Sequence, residues 1–199
     1  VFFFLLVAMH GRFDGAFMRR VMGVIAGISA LYALLSVEAV STGITKLLLE
    51  RLPAINTDNI AFNGARLYGI FGNSNIEASV FAIGVLLSAA LVCGAEKRWQ
   101  RILFTVTLSV SAFAFLLVFS MGAIACFIAA VAVYLIFAGK GRSAALLRML
   151  GAAVPTLVCG FIAFALFNSE RSALVLALLL ANAGVSVLLE LTVSARLSA

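Results

Sequence analysis

The sequence predicts an all-α integral membrane protein, a polytopic transmembrane helix bundle of about six complete spans plus one truncated span. Hydrophobic residues make up 64% of its 199 positions and charged residues only 11%, whereas a soluble domain usually carries about 25% charged residues. Six continuous apolar runs are long enough to cross about 30 Å of hydrocarbon. Helices are expected because lipid offers no partner to an unpaired backbone group, and the runs lack the alternation of a membrane β-barrel.

Apart from residues 38–75, the connections between the apolar runs are short and polar. The predicted spans lie at approximately 21–37, 76–94, 102–119, 122–138, 149–167 and 172–191. Residues 1–9 are similar to the end of a further span, so we expect residues 1–199 to be a fragment of a single membrane domain.

The positive charges predict the orientation of the spans. Ten of the 14 Lys and Arg residues fall in one set of connections, and these are Arg12, Arg19, Arg20, Lys97, Arg98, Arg101, Lys140, Arg142, Arg148 and Arg196. Only Lys46, Arg51, Arg66 and Arg171 fall in the other set. The side rich in Lys and Arg should be cytoplasmic. The net charge of +6 is therefore a topology signal, and no nucleic-acid partner is expected.

Residues 38–75 form the long polar segment and are predicted to be an extracytoplasmic loop with an interfacial helix. One helical face carries Ile44, Leu47, Leu48 and Leu52. Lys46 and Glu50 are spaced as an i,i+4 ion pair on another face, and Pro53 should end the helix. Residues 54–75 have too little apolar content to predict a fold of their own.

Few side chains inside the spans could carry chemistry. Cys93, Cys126 and Cys159 lie in apolar runs without partners at metal spacing, so they are expected to behave as small apolar residues and no metal site is expected. His10 should lie on the cytoplasmic side. Asn182 falls in the middle of a span, where it should bond to a neighbouring helix.

The stretch from Arg66 to Ala78 is the most informative one. Gly69 and Gly72 permit close approach of a ligand to the backbone, and the helix that follows offers free N–H groups to an anion. Arg66 could add a bidentate grip on phosphate oxygens. The alternative is a plain helix start, in which Ser74 and Glu77 form a capping box.

The string Arg66…Gly69-Ile70-Phe71-Gly72-Asn73-Ser74-Asn75 resembles the Arg…Gly-x-Phe-Gly-Asn-Pro-Asn motif of the O-antigen ligase and O-antigen polymerase family. The later segment Phe119-Ser120-Met121-Gly122-Ala123 resembles that family's Ser-Arg-Gly turn between two helices. Ser74 replaces the usual proline, and Met121 stands in the place of an arginine. The family's large outer loop, with its histidine and further arginines, is not in this chain.

The resemblance implies a glycosyltransferase of the bacterial cytoplasmic membrane that uses no metal or cofactor. Its partners would be the bilayer and an undecaprenyl-pyrophosphate-linked glycan donor, used at the outer face. The donor pyrophosphate would be bound by Arg66, Gly69, Gly72, Asn73 and Asn75. Glu77 and Ser120 are further candidates, and the catalytic residues are unknown.

Two alternatives stay open from the sequence. One is a non-catalytic transporter or lipid-linked-sugar binding protein, although a transporter should show more polar groups at mid-membrane. The other is a relative that keeps the family's fold without catalysis. Met121, in the place of an arginine, is the observation that favours it. The sugar, the acceptor, the choice between polymerase and ligase, and the oligomeric state are not predicted.

Overall fold

A computed structural model describes residues 15–52, 56–63, 66–137, 142–169 and 171–198. The helices in this part are α1 (Gly15–Ser41), α2 (Ile44–Leu49), α3 (Ser74–Gly94), α4 (Arg98–Val118), α5 (Met121–Phe137), α6 (Arg142–Asn168) and α7 (Ala173–Ser198). Two short strands, β1 (Ala61–Asn63) and β2 (Arg66–Tyr68), precede α3. Each of the six predicted spans coincides with one long helix to within a few residues at most ends, which confirms the helical bundle. Residues 1–9, His10 and Pro53 lie outside the described residues.

Helix length and composition make the chain a multi-pass membrane protein. Helices α1, α3, α4, α6 and α7 are long and apolar enough to cross a bilayer. Helix α5 has 17 residues and is therefore about 26 Å long at 1.5 Å per residue. It is at the lower limit of about 17–25 residues that a span needs.

Helix α4 is at the centre of the bundle. Helices α1, α3, α6 and α7 all pack against it, and Phe113, Ala114 and Leu117 of α4 belong to the main buried core. Helix α5 has no buried residue, although Phe127 places its ring 5.1 Å from that of Phe115. Helix α5 therefore lies at the periphery, and its apolar side chains are half-buried or exposed.

Polar side chains join the helices inside the bundle. Asn182 of α7 donates to the Ser109 carbonyl of α4 at 3.1 Å and accepts from the Thr156 hydroxyl of α6 at 3.3 Å. The Ser88 and Thr107 hydroxyls join α3 to α4 at 2.9 Å. The packing role predicted for Asn182 is thus confirmed, because it connects three helices.

One end of the bundle is held together by a buried ionic network. Arg148 Nε lies 3.3 Å from Glu190 Oε1, and both side chains are largely buried. The Ser194 hydroxyl donates to Glu190 Oε1 at 2.7 Å, and Arg101 Nη1 donates to Ser194 Oγ at 3.0 Å. This end contains the arginines that the sequence assigns to the cytoplasmic side, so the network ties α4, α6 and α7 together there.

Helix α2 confirms the predicted short helix after α1. Gly43, with φ of 80°, turns the chain, and the Glu38 carboxylate accepts from the N–H groups of Ile44 at 2.9 Å and Thr45 at 2.7 Å. The predicted apolar face is more than half exposed. The predicted Lys46–Glu50 pair is wrong, because the helix ends at Leu49 and Lys46 Nζ donates to the Ile60 carbonyl at 3.4 Å.

The hairpin of β1 and β2 was not predicted by the sequence. Phe62 and Leu67 are directly opposite each other in the antiparallel pair, so both side chains lie on one face. Leu67 is fully buried, and the Phe62 ring stacks on Phe167 of α6 at 4.1 Å. The bundle therefore supplies the apolar contacts that this segment lacks by itself.

We expect Asn182→Ala to lower the free energy of unfolding by about 1 kcal/mol, because it removes the hydrogen bonds to α4 and α6. Unfolding by denaturing detergent would measure this. Leu188→Ala on the same helix is the control, since Leu188 is 64% exposed and its removal should change little. Equal stability of the wild type and the Asn182 variant would contradict the prediction.

Labelling of introduced cysteines tests the orientation. In a chain whose three cysteines are replaced, Asp58→Cys and Glu96→Cys place thiols at exposed positions on opposite ends of the bundle. A membrane-impermeant maleimide added to intact cells should label the Asp58 variant alone. Labelling of the Glu96 variant alone would show that the orientation is opposite to the predicted one.

Candidate functional site

The start of α3 is fixed to the preceding loop by a buried carboxylate. Glu77 is fully buried, and its Oε2 accepts from the Gly69 N–H at 2.7 Å. The helix cap is Asn73, whose Oδ1 accepts from the N–H groups of Asn75 at 3.0 Å and Ile76 at 3.4 Å. The capping box of Ser74 and Glu77 is therefore wrong, because Glu77 bonds to the loop and Asn73 caps the helix.

Both glycines of the motif are needed for close packing. A Cβ added at Gly69 would lie 2.8 Å from Glu77 Oε2 and 2.5 Å from Ser36 Oγ of α1. Gly72 has a positive φ of 63°, which an L side chain rarely adopts, and a Cβ there would lie 2.8 Å from Asn59. The loop thus approaches α1 and the segment before β1 too closely for any other residue.

Helix α1 contributes two residues that the sequence did not indicate. The Tyr32 hydroxyl accepts from the Phe71 N–H at 3.1 Å, and the two rings are 4.8 Å apart. Ser36 Oγ and Glu77 Oε1 have no hydrogen-bond partner among the described residues. Tyr32, Ser36, Gly69, Phe71 and Glu77 form what we call the Glu77 cluster. Tyr32 and Ser36 lie too far from the motif in sequence for spacing to reveal them.

The second motif stretch meets the first at the same end of the bundle. The Ser120 hydroxyl, between α4 and α5, donates to Asn75 Oδ1 at 2.9 Å and accepts from the Ala123 N–H at 3.4 Å. Phe119 turns the chain there with a φ of 48°. Met121 is 66% exposed at the start of α5. Because methionine is uncharged, this position carries no positive charge.

Arg66 lies apart from the Glu77 cluster. It pairs with Asn63 across the hairpin, on the face opposite to Phe62 and Leu67, because neighbouring strand residues point to opposite sides. Its side chain is half-buried. The described residues provide it with no ion pair or hydrogen bond.

Most of the backbone donors in the loop are already used. Asn73 accepts from the first turn of α3, Glu77 accepts from Gly69 N–H, and Gly72 N–H donates to the Gly69 carbonyl at 2.9 Å. The structure therefore places Gly69, Gly72, Asn73, Asn75, Glu77 and Ser120 in one bonded unit. Their observed contacts fix the shape of this end. Within the described part of the chain, the Arg66 guanidinium group forms no ion pair.

Comparisons with known proteins give no family for the chain. Searches with protein-family models, among curated proteins and among solved structures find no match. The resemblance to the O-antigen ligase and polymerase family therefore rests on the motif residues alone.

We expect Gly69→Ala to destabilise the protein by about 1–3 kcal/mol, because the added methyl group must displace Ser36 or Glu77. Gly94→Ala is the matched control, since a Cβ at Gly94 meets nothing within 4 Å. Thermal unfolding in detergent measures both. Equal midpoints for the two variants would mean that the loop has room at Gly69.

Proposed function

We propose that this chain is the membrane core of a glycosyltransferase-like protein of the O-antigen ligase or polymerase type. It would transfer or polymerise undecaprenyl-pyrophosphate-linked glycans at the outer face of a bacterial cytoplasmic membrane. The donor would approach the end of the bundle that contains the hairpin, the Glu77 cluster and Ser120. Its polyprenyl chain would stay in the surrounding lipid.

The contact between Ser120 and Asn75 carries this proposal. The two stretches that resemble the family are separated by two complete spans, α3 and α4, and their side chains meet at 2.9 Å. Because α3 and α4 pack against each other along their lengths, the start of α3 lies beside the end of α4. The bond supports a common site that is assembled from both stretches.

Arg66 supplies the chemistry in this proposal. When a glycosyl group leaves its pyrophosphate, negative charge builds up on the departing oxygens. A guanidinium group with free donors stabilises that charge in the transition state, and its planar fork matches two phosphate oxygens. The bonded loop behind the hairpin would hold this end of the bundle in one shape during transfer.

A second candidate function is a non-catalytic transporter or lipid-linked-sugar binding protein. Polar side chains that are buried within the spans favour it. The hydroxyls of Thr105, Ser111 and Ser186 are buried without a hydrogen-bond partner among the described residues. Buried polar groups within spans often mark the path of a polar substrate.

We expect Arg66→Lys in the full-length protein to lower glycan transfer by about 100-fold, because an ammonium group does not reproduce the bidentate contact. Transfer from an undecaprenyl-pyrophosphate-linked donor by protein in liposomes would measure the effect. A loss in kcat is expected if Arg66 acts in the transition state.

Arg171→Lys is the control, because Arg171 is exposed and belongs to the same predicted outer set of charges. It should leave transfer unchanged. If the Arg66→Lys variant transfers glycan at the wild-type rate, the proposed role of Arg66 is overturned. A wild-type protein that binds the donor but never transfers its glycan would favour the second candidate.

A further inference from the structure

The end of the bundle opposite to the Glu77 cluster contains a large cavity. It measures about 750 Å³ and lies between α1, the end of α3 and the start of α4. Arg19 and Arg20 of α1 line one side, and Lys97 lines the other. We call this space the basic cavity. Its volume is in the range of about 300–1,000 Å³ that small-molecule sites occupy.

The charges around the basic cavity are not balanced. Arg19, Arg20 and Lys97 face it together with one acidic residue, Glu96. Within the described part of the chain, none of the three basic side chains forms an ion pair. Arg148 at the same end differs, because Glu190 neutralises it. The basic cavity therefore keeps a net positive charge for an external group.

The walls of the basic cavity are apolar as well as cationic. Trp99 lines it and is 59% exposed, and the Phe104 ring closes it where α1 meets α4. A Cβ added at Gly23 would lie 3.7 Å from Phe104 Cε1. Tryptophan at a helix end is typical of the boundary between lipid headgroups and hydrocarbon. The cavity thus combines cations with a surface suited to an acyl chain.

We propose that the basic cavity binds an anionic phospholipid, with its phosphate between Arg19, Arg20 and Lys97 and an acyl chain along Trp99 and Phe104. Basic pockets between spans bind acidic lipid headgroups in this way. Arg19, Arg20 and Lys97 are exposed, and they line one cavity from two separate elements. The apolar walls favour a lipid over free phosphate.

Native mass spectrometry of the delipidated full chain tests the proposal. Phosphatidylglycerol and phosphatidylcholine with the same acyl chains are the probes, and phosphatidylglycerol should bind about tenfold tighter. Arg19→Gln combined with Arg20→Gln should weaken phosphatidylglycerol binding about tenfold, because each basic residue adds to the attraction of an acidic lipid. Binding of phosphatidylcholine should not change.

A second double variant removes the same charge elsewhere. Arg98→Gln combined with Arg196→Gln alters two exposed residues that do not line the basic cavity, and it should change binding less than twofold. Equal losses of phosphatidylglycerol binding in both double variants would show that net charge alone explains the effect, and would overturn the proposed site. Displacement of the lipid by millimolar inorganic phosphate would overturn the choice of a lipid. Glycan transfer is not involved in either readout.

Discussion

The scarcity of hydrogen-bond partners in the apolar interior of the bundle is the constraint on which the rest of the structure depends. Helices satisfy their own backbone groups, and the polar side chains that remain must find partners on other helices or stay unpaired. Asn182 meets α4 and α6, and Arg148 meets Glu190. Because a buried charge without a partner is costly, these contacts restrict how the helices can pack against one another.

The same constraint shapes the loop before α3. The Glu77 carboxylate has no access to water, so it takes the Gly69 N–H as its partner. That bond draws the loop onto α1, where Ser36 and Tyr32 contact it. Asn73 is left to cap the helix. The buried acid is thereby bonded to the loop, and Asn73 caps α3 instead.

The two ends of the bundle differ in how their charges are used. At the end with the Glu77 cluster, Arg66 stands on a hairpin face away from the core, and the loop beside it is internally bonded. At the other end, Arg101 and Arg148 belong to an internal network, while Arg19 and Arg20 face the basic cavity. The central helix α4 connects both ends and packs against α1, α3, α6 and α7.

The sequence by itself determined the class of fold, the positions of the spans and the packing role of Asn182. The fold class and the spans follow from the composition and from the length of the apolar runs. The role of Asn182 follows from its being a polar residue in the middle of a span. Neither inference requires knowing which residues are in contact. Only the tertiary structure decided that Phe62 and Leu67 form a hairpin, that Glu77 bonds to Gly69, that Lys46 reaches Ile60, and that Ser120 meets Asn75. Each of these contacts joins residues of different elements. Local pattern does not predict them, because the partner that satisfies a buried polar or apolar group is chosen by packing.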